Sequence, residues 1–392
     1  MVLLELDSLP NIENGSNSSS ESFQTFQKNE ISYSQFFEKY LYRNEPCVIR
    51  GITDDWPSQQ LWIHHGKPNI DYLETNYGTS MVPVANCEER YFDSQAKTCM
   101  TLSEYAAYWR KYSSASSPSL YLKDWHFMKE YPEEKIYTIP KYFGSDWLNE
   151  YLVGQDELKD DYRFVYMGPN GSWTPFHSDV FSSFSWSVNI CGEKKWVFFR
   201  PGDEEKLRDK FGKLPYSVGT PESAVSSGAL LLTQSVGDAV FVPSGWHHQV
   251  WNVKETISIN HNWINGCNIG KMWEEIVKKL LEVEAEISDC RDMDNWSEHC
   301  QLLLNSVHGI DIPHFCSFVF YIAQVRLEAL EKNTFLKTTL SHYFFGRNHI
   351  LFDLFSLEKL FQLMLSTNLP SLITFENVLR NLIESINKYR EL

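Results

Sequence analysis

TPFHSDVFSSFSWSVNICGEKKWVFF, residues 174–199, sets one histidine two places before an aspartate and follows them with two strand-like runs, FSWSVNI and KKWVFF, the second opened by paired lysines. The same pattern extends outward on both sides. RFVYMG, ALLLTQ, DAVFVP, HQVWNV and TISINHNW complete a series of short β-branched and aromatic runs between Arg163 and Trp263, punctuated by turn signals such as Pro169-Asn170-Gly171 and Pro243-Ser244-Gly245. Many short strands at close spacing predict a mainly β core, a sandwich or barrel.

The flanks read differently. NIENGSNSSSES, residues 11–22, is rich in Ser and Asn with no apolar period, so residues 1–30 are expected to form a flexible tail. Residues 31–150 mix helical spacing (SYSQFFEKYLY) with short strands (PCVIRGI, SMVPVA, SLYLKDW) and a helix capped by Thr101 with Glu104 at the capping-box position, so an α/β part precedes the core. The core is assigned to residues 151–265. From 266 to 392 apolar residues recur at three- and four-residue spacing in five segments, which predicts a helical C-terminal region.

Composition limits the classes of function. The chain has 392 residues, 43% apolar and 15% aromatic, enough to bury a core around a concave site. A formal net charge of -16 argues against a broad grip on nucleic acid or anionic lipid, and fits a basic protein partner better. The eight cysteines form no C-x-x-C pair, which removes the usual zinc and thioredoxin-like patterns and predicts reduced thiols. MVLLELDSLP is too short and acidic for a signal peptide, and no apolar run approaches the roughly 20 residues of a membrane span, so a cytosolic or nuclear protein is expected.

The chemistry begins at His177 and Asp179. Two apart on an extended strand, they are expected to face one side and reach one ion, although an isolated H-x-D is a weak signal. GDAVFVPSGWHHQVWN, residues 237–252, delivers His247 and His248 into the same strands, and alternation lets only one of the two bind. Two neutral imidazoles and a carboxylate leave three coordination positions open, the arrangement of non-haem Fe(II) oxygenases. Zinc hydrolysis also uses three ligands but wants a nearby general base, and none stands out. Lys194, at the start of KKWVFF, either meets the far carboxylate of a dicarboxylate chelating the metal, since a cation inside a barrel needs an anionic partner, or belongs with Lys195 to a solvated strand end, the plainer reading of an isolated lysine pair. The rings of Trp173, Trp186, Trp246 and Trp251 are expected mostly to pack the sheets. His261 should face away from the pocket, and His64, His65, His126, His299 and His342 read as surface or packing residues.

The order H-x-D, GEKKW, GDAVFVPSGWHHQVWN and TISINHNW resembles the Jumonji-C family of 2-oxoglutarate and Fe(II)-dependent oxygenases, and EPCVIRGITDDWPSQQLW, residues 45–62, is similar to the segment before the core in its hydroxylase members. The resemblance implies a double-stranded β-helix, or jelly roll of cupin type. It makes His177, Asp179 and His248 the iron ligands, with Lys194 and Thr174 on the distal carboxylate of 2-oxoglutarate. It also places Tyr121, Ser187, Asn260 and Asn262 along the same pocket.

The resemblance is closest to members that hydroxylate a lysine of the eukaryotic translation termination (release) factor. It therefore implies Fe(II), 2-oxoglutarate and O2 as cofactors and cosubstrates, that factor as partner and a cytoplasmic location. The C-terminal helices are expected to cover the barrel or each other, with a homodimer through them left open, and the charge and hydropathy above predict no nucleic-acid or membrane partner. Two other functions compete. An N-methyl-lysine demethylase would use the same iron, but the Cys/His spacing of a zinc-finger reader is missing. A non-catalytic binding module would have no physical need for three metal ligands beside a buried lysine.

Overall fold

The computed structural model describes residues 2–10, 23–113, 117–155 and 160–390. Thirteen strands build its β core. In chain order they are β1 (Gln24–Gln27), β2 (Cys47–Arg50), β3 (Met81–Tyr91), β4 (Ser94–Thr101), β5 (Leu120–Trp125), β6 (Arg163–Gly168), β7 (Trp173–His177), β8 (Phe184–Cys191), β9 (Lys194–Phe199), β10 (Leu230–Gln234), β11 (Ala239–Val242), β12 (His247–Asn252) and β13 (Thr256–Trp263). Nine of them form one sheet in the order β1-β2-β11-β8-β13-β6-β5-β3-β4, and the other four form a second in the order β7-β12-β9-β10.

Alternation along each strand decides what lies between the sheets. On β9, Trp196 and Phe198 point inward and pack with Val250 of β12 and with Val240 and Val242 of β11, closing one end of the sandwich with an apolar plug. The intervening Val197 and Phe199 face outward, where they join Phe176, Ala224 and Ala229. On β8, Val188 and Ile190 point out of the sandwich into the main core, which includes Ile257 and Ile259 of β13 and the C-terminal helices. Their alternates are polar. Ser185, Ser187 and Asn189 of β8 lie opposite Asn262, Asn260 and Ser258 of β13 in register. A jelly roll whose inner face is apolar at one end and polar at the other has a built-in place for a polar ligand.

The turn from β8 into β9 depends on Gly192. Its φ is 81°, and a Cβ there would sit 2.1 Å from the Glu255 carbonyl oxygen, so only glycine fits and Lys194 enters its strand in the right register.

Two parts of the expected tail are ordered. Val2–Leu4 is a strand parallel to Tyr343–Phe345, and β1 runs parallel to β2. Leu4 and Phe26 are buried there, and these short apolar stretches outweigh the polar composition between them. The Ser/Asn-rich stretch at 11–22 lies outside the described residues. The α/β part at 31–150 is continuous with the core, because β2 pairs with β11 and β5 with β6 in the same large sheet.

The helices Ile269–Glu286, Trp296–His308, Ile312–Glu331, Arg347–Ser366 and Glu376–Asn387 form the C-terminal region. Their apolar faces share the main core with the large sheet. One buried polar network ties them to the core. Arg326 bonds both oxygens of Glu150 on the helix Trp147–Gly154, and its Nε donates to Asp353 at 3.1 Å. Among the described residues no helix is long and apolar enough to cross a membrane.

Candidate active site

β7 and β12 are neighbours, and their register sets His177 directly opposite His248. Nδ1 of His177 lies 2.8 Å from the Pro175 carbonyl, and Nδ1 of His248 lies 3.0 Å from the Trp246 carbonyl. A carbonyl only accepts, so each Nδ1 carries the proton and each Nε2 keeps its lone pair. Asp179 completes the group: the three residues each offer a ligand atom within 4.8 Å of the others. Ser185 Oγ donates to Asp179 Oδ2 at 2.7 Å and fixes the carboxylate. Burial, reinforced by the neighbouring His248, pushes the His177 imidazole down to about 4, and burial lowers His248 as well. Both rings are therefore neutral at pH 7, the form that binds a metal. Two imidazole nitrogens and one carboxylate suit a first-row divalent ion and leave part of its coordination sphere open.

Two local features differ from simple alternation. The β7 ladder ends at His177, so Asp179 lies beyond the strand, at the entry to the turn Val180–Ser182. Its backbone is still extended, with φ -66° and ψ 147°, which keeps the carboxylate on the histidine side. Thr174 and His177 are three apart, an interval that would place them on opposite faces. A bulge between them restores a shared inward direction and turns Phe176 outward. His247, as alternation requires, faces the other way, with Nδ1 3.6 Å from Glu204 Oε1 and its ring against Phe176.

Lys194 reaches across the sandwich. Only 2% exposed, it donates to Ser258 Oγ of β13 at 2.7 Å and lies 3.4 Å from the Tyr121 hydroxyl. Burial, then the charge of Lys123, pushes its ammonium down to about 7. Around it are buried polar atoms with no partner among the described residues, the Ser187 hydroxyl and the Asn252 side-chain oxygen. Asn260 donates to Ser258 Oγ at 3.1 Å, while Asn262 donates to Ser183 Oγ at 3.0 Å nearer the opening. A buried ammonium beside unsatisfied polar groups matches an anionic ligand.

Thr174, His177, Asp179 and Asn262 line a cleft of about 540 Å³ that opens to the surface. The same walls hold Lys123, which the sequence reading did not single out, together with Asp124 and His126. Lys123 lies two after Tyr121 on β5, and both are buried. His126, expected to stand away from the site, lines this cleft and forms a second cluster with Asp160 and Asp161, its Nδ1 2.7 Å from Asp161 Oδ1. Asp124 adopts φ 62° at a bulge in β5, and its carboxylate accepts from Tyr166 at 2.7 Å and pairs with Lys97. His261 faces away as expected, stacked on Trp186 and 2.6 Å from the Tyr137 hydroxyl. Trp186 and Trp246 are buried packing residues, and Trp173 and Trp251 pair across β7 and β12 on the outer face.

Residues 33–268 match the family model described as a cupin-like domain. The chain is 47% identical to the human "2-oxoglutarate and iron-dependent oxygenase JMJD4" (Homo sapiens) over 77% of this chain and 76% of that protein. It is 42% identical to the zebrafish protein of the same name (Danio rerio), with 92% of each covered. It is also 39% identical to the "Arginine-specific demethylase JMJ20" of Arabidopsis thaliana, over 74% of this chain and 68% of that one.

Proposed function

Because the chain belongs to the cupin-like family, and within it to the 2-oxoglutarate and iron-dependent oxygenases, we propose that it is a protein lysyl hydroxylase acting on the eukaryotic translation termination factor in the cytoplasm. Its cofactors are Fe(II), 2-oxoglutarate and O2. The observation that carries the oxygenase reading is the pair of bare Nε2 atoms beside Asp179, with the buried Lys194 deeper in the same sandwich.

Iron and 2-oxoglutarate together supply oxygen activation: one oxygen atom enters a substrate C–H bond, and the other enters the succinate left when the oxo acid loses CO2. His177, Asp179 and His248 would hold the metal. Lys194 and Thr174 would hold the distal carboxylate, with Tyr121, Ser187 and Asn260 around it. The apolar plug of Trp196, Phe198, Val240 and Val242 lies against the His248 ring and keeps water from that side of the metal group. Asn262 stands at the opening, where one substrate side chain is aimed at the metal.

A second reading draws on the name of the Arabidopsis relative, an arginine-specific demethylase: in this chain the same metal site would remove an N-methyl group. One experiment separates the two. Purified termination factor is incubated with the protein, Fe(II) and 2-oxoglutarate, succinate is quantified, and the factor is read by mass spectrometry with His177→Ala as control. Gain of one oxygen on a lysine, lost in the variant, supports the hydroxylase. Loss of a methyl group supports the demethylase, and absence of both succinate and bound iron returns the chain to a binding module. Sedimentation of the same preparation tests the homodimer we propose through the C-terminal helices.

A further inference from the structure

Lys123 is a second buried cation in the cleft, and it has no assigned work. It is 7% exposed, and its Nζ donates to a neutral acceptor, Gln95 Oε1, at 2.8 Å. The ammonium also lies 5.6 Å from the centre of the Tyr121 ring, whose hydroxyl is 3.4 Å from Lys194. The two lysines therefore flank one tyrosine, Lys194 at its polar tip and Lys123 over its ring. Among the described residues neither forms an ion pair. Asp124, next to Lys123 in sequence, has its oxygens engaged by Lys97 and Tyr166. Two unpaired ammoniums inside one protein repel each other and lose hydration, and burial pushes Lys123 down to about 8. Such a pair is stable with more than one negative charge between its members.

The positions of the two differ. Lys194 lies deep between the sheets, whereas Lys123 shares the cleft wall with Thr174, His177 and Asp179. Resting on the oxygenase reading above, we propose that Lys123 is a second cationic contact for the cosubstrate, donating to the carboxylate at the metal-binding end while Lys194 donates to the distal one. When an oxo acid chelates through its keto oxygen and one carboxylate oxygen, the other carboxylate oxygen is left in a site poor in water and needs a donor. Lys123 supplies it.

The test is calorimetric titration of the full chain loaded with Mn(II) in place of iron, so the readout is binding rather than turnover. Two ligands are compared: 2-oxoglutarate, and 2-oxovalerate at millimolar concentration, which keeps the oxo-acid head and replaces the distal carboxylate with a methyl. Lys123→Met is expected to weaken both ligands by roughly 10- to 100-fold, the worth of a hydrogen bond to a charged group. Lys194→Met should weaken 2-oxoglutarate alone. Ligand-free Lys123→Met should also melt higher than the wild type, because an uncompensated buried charge has been removed. Lys123→Gln, which keeps a donor for Gln95 without the charge, should show the same loss of affinity and covers the case in which the methionine variant misfolds.

Lys123→Met and Lys123→Gln proteins that bind 2-oxoglutarate within twofold of wild type overturn the proposal, as does a loss seen with 2-oxoglutarate but not with 2-oxovalerate. A lowered melting temperature with unchanged affinity assigns Lys123 a structural tie to Gln95 instead. Failure of the wild-type protein to bind 2-oxoglutarate at all removes the oxygenase reading and this inference with it, a result distinct from failure of the variants alone.

Discussion

His177 and His248 are paired across neighbouring strands with ring centres 4.4 Å apart, and each is held by a carbonyl two residues earlier in its own chain segment. The symmetry means that neither ring has to reorient to accept a metal. Replacing either one removes a ligand without disturbing its partner's tether. His177→Ala and His248→Ala should each fold, lose Mn(II) or Fe(II) binding by at least 100-fold on metal titration and lose succinate production. Retention of stoichiometric metal in either variant would move the centre away from this pair.

Lys194 makes the companion prediction for the cosubstrate. Truncating one member of a buried charge pair costs about 2–5 kcal/mol, so Lys194→Ala should raise the KM for 2-oxoglutarate by roughly 30-fold or more. Lys194→Arg should not restore it, since the wider guanidinium must fit between Ser258 and Tyr121, placed for a compact ammonium. A KM unchanged in both variants would remove Lys194 from the cosubstrate pocket.

The same lysine makes stability depend on pH. Burial holds its ammonium at about 7 in the folded chain, against 10.5 as the ordinary value. Between those values the unfolded chain holds a proton that the folded chain has released, so stability rises as pH increases through the window and falls as pH drops toward 7. Denaturation of the ligand-free protein between pH 7 and pH 10 should show this rise, and Lys194→Met should reduce its slope while leaving the share of Lys123, which burial holds at about 8. Binding of 2-oxoglutarate at pH 8.5 should draw up to about one proton from the buffer for each lysine that meets a carboxylate, and Lys194→Met should remove its share, measured by titration in buffers of different ionisation enthalpy. Equal pH slopes in the wild type and the variant would show that Lys194 is solvated.

Much of this was legible in the sequence because strands report their buried face at a period of two. That period set His248 against His247 and turned His261 away from Asn260 and Asn262, while Lys194 was marked by its place at the start of KKWVFF and by the family resemblance. What was not legible depends on departures from the period. The bulge in β7 lets Thr174 and His177 share a face at an odd spacing, and the bulge in β5 brings Lys123 and Asp124 to one cleft. Composition likewise hid the strands around Leu4 and Phe26, whose partners lie at Tyr343–Phe345 and at β2 and supply a surface that no local pattern reveals. The grouping of Glu150, Arg326 and Asp353 is a matter of tertiary packing, with sequence separations of 176 and 27 residues from the arginine.

That last group yields a prediction about stability rather than chemistry. Arg326 is fully buried, and its removal would leave the carboxylates of Glu150 and Asp353 without their shared cation. Breaking a buried pair in this way costs about 3–5 kcal/mol, so Arg326→Met should lower unfolding stability by that amount in chemical denaturation. Adding Glu150→Gln and Asp353→Asn should recover part of the loss, because the stranded charges are then gone. The helix that bears Glu150 also bears Asn149, which donates to the Asn262 carbonyl at 3.0 Å, so the network supports the strand behind the cleft without touching the metal group. Metal affinity of the folded Arg326→Met protein should therefore remain within about threefold of wild type, close to the few tenths of a kcal/mol expected for uncoupled sites. A loss of stability under 1 kcal/mol would show the network to be near neutral, and a collapse of metal affinity in the folded variant would show that the helices hold the site directly.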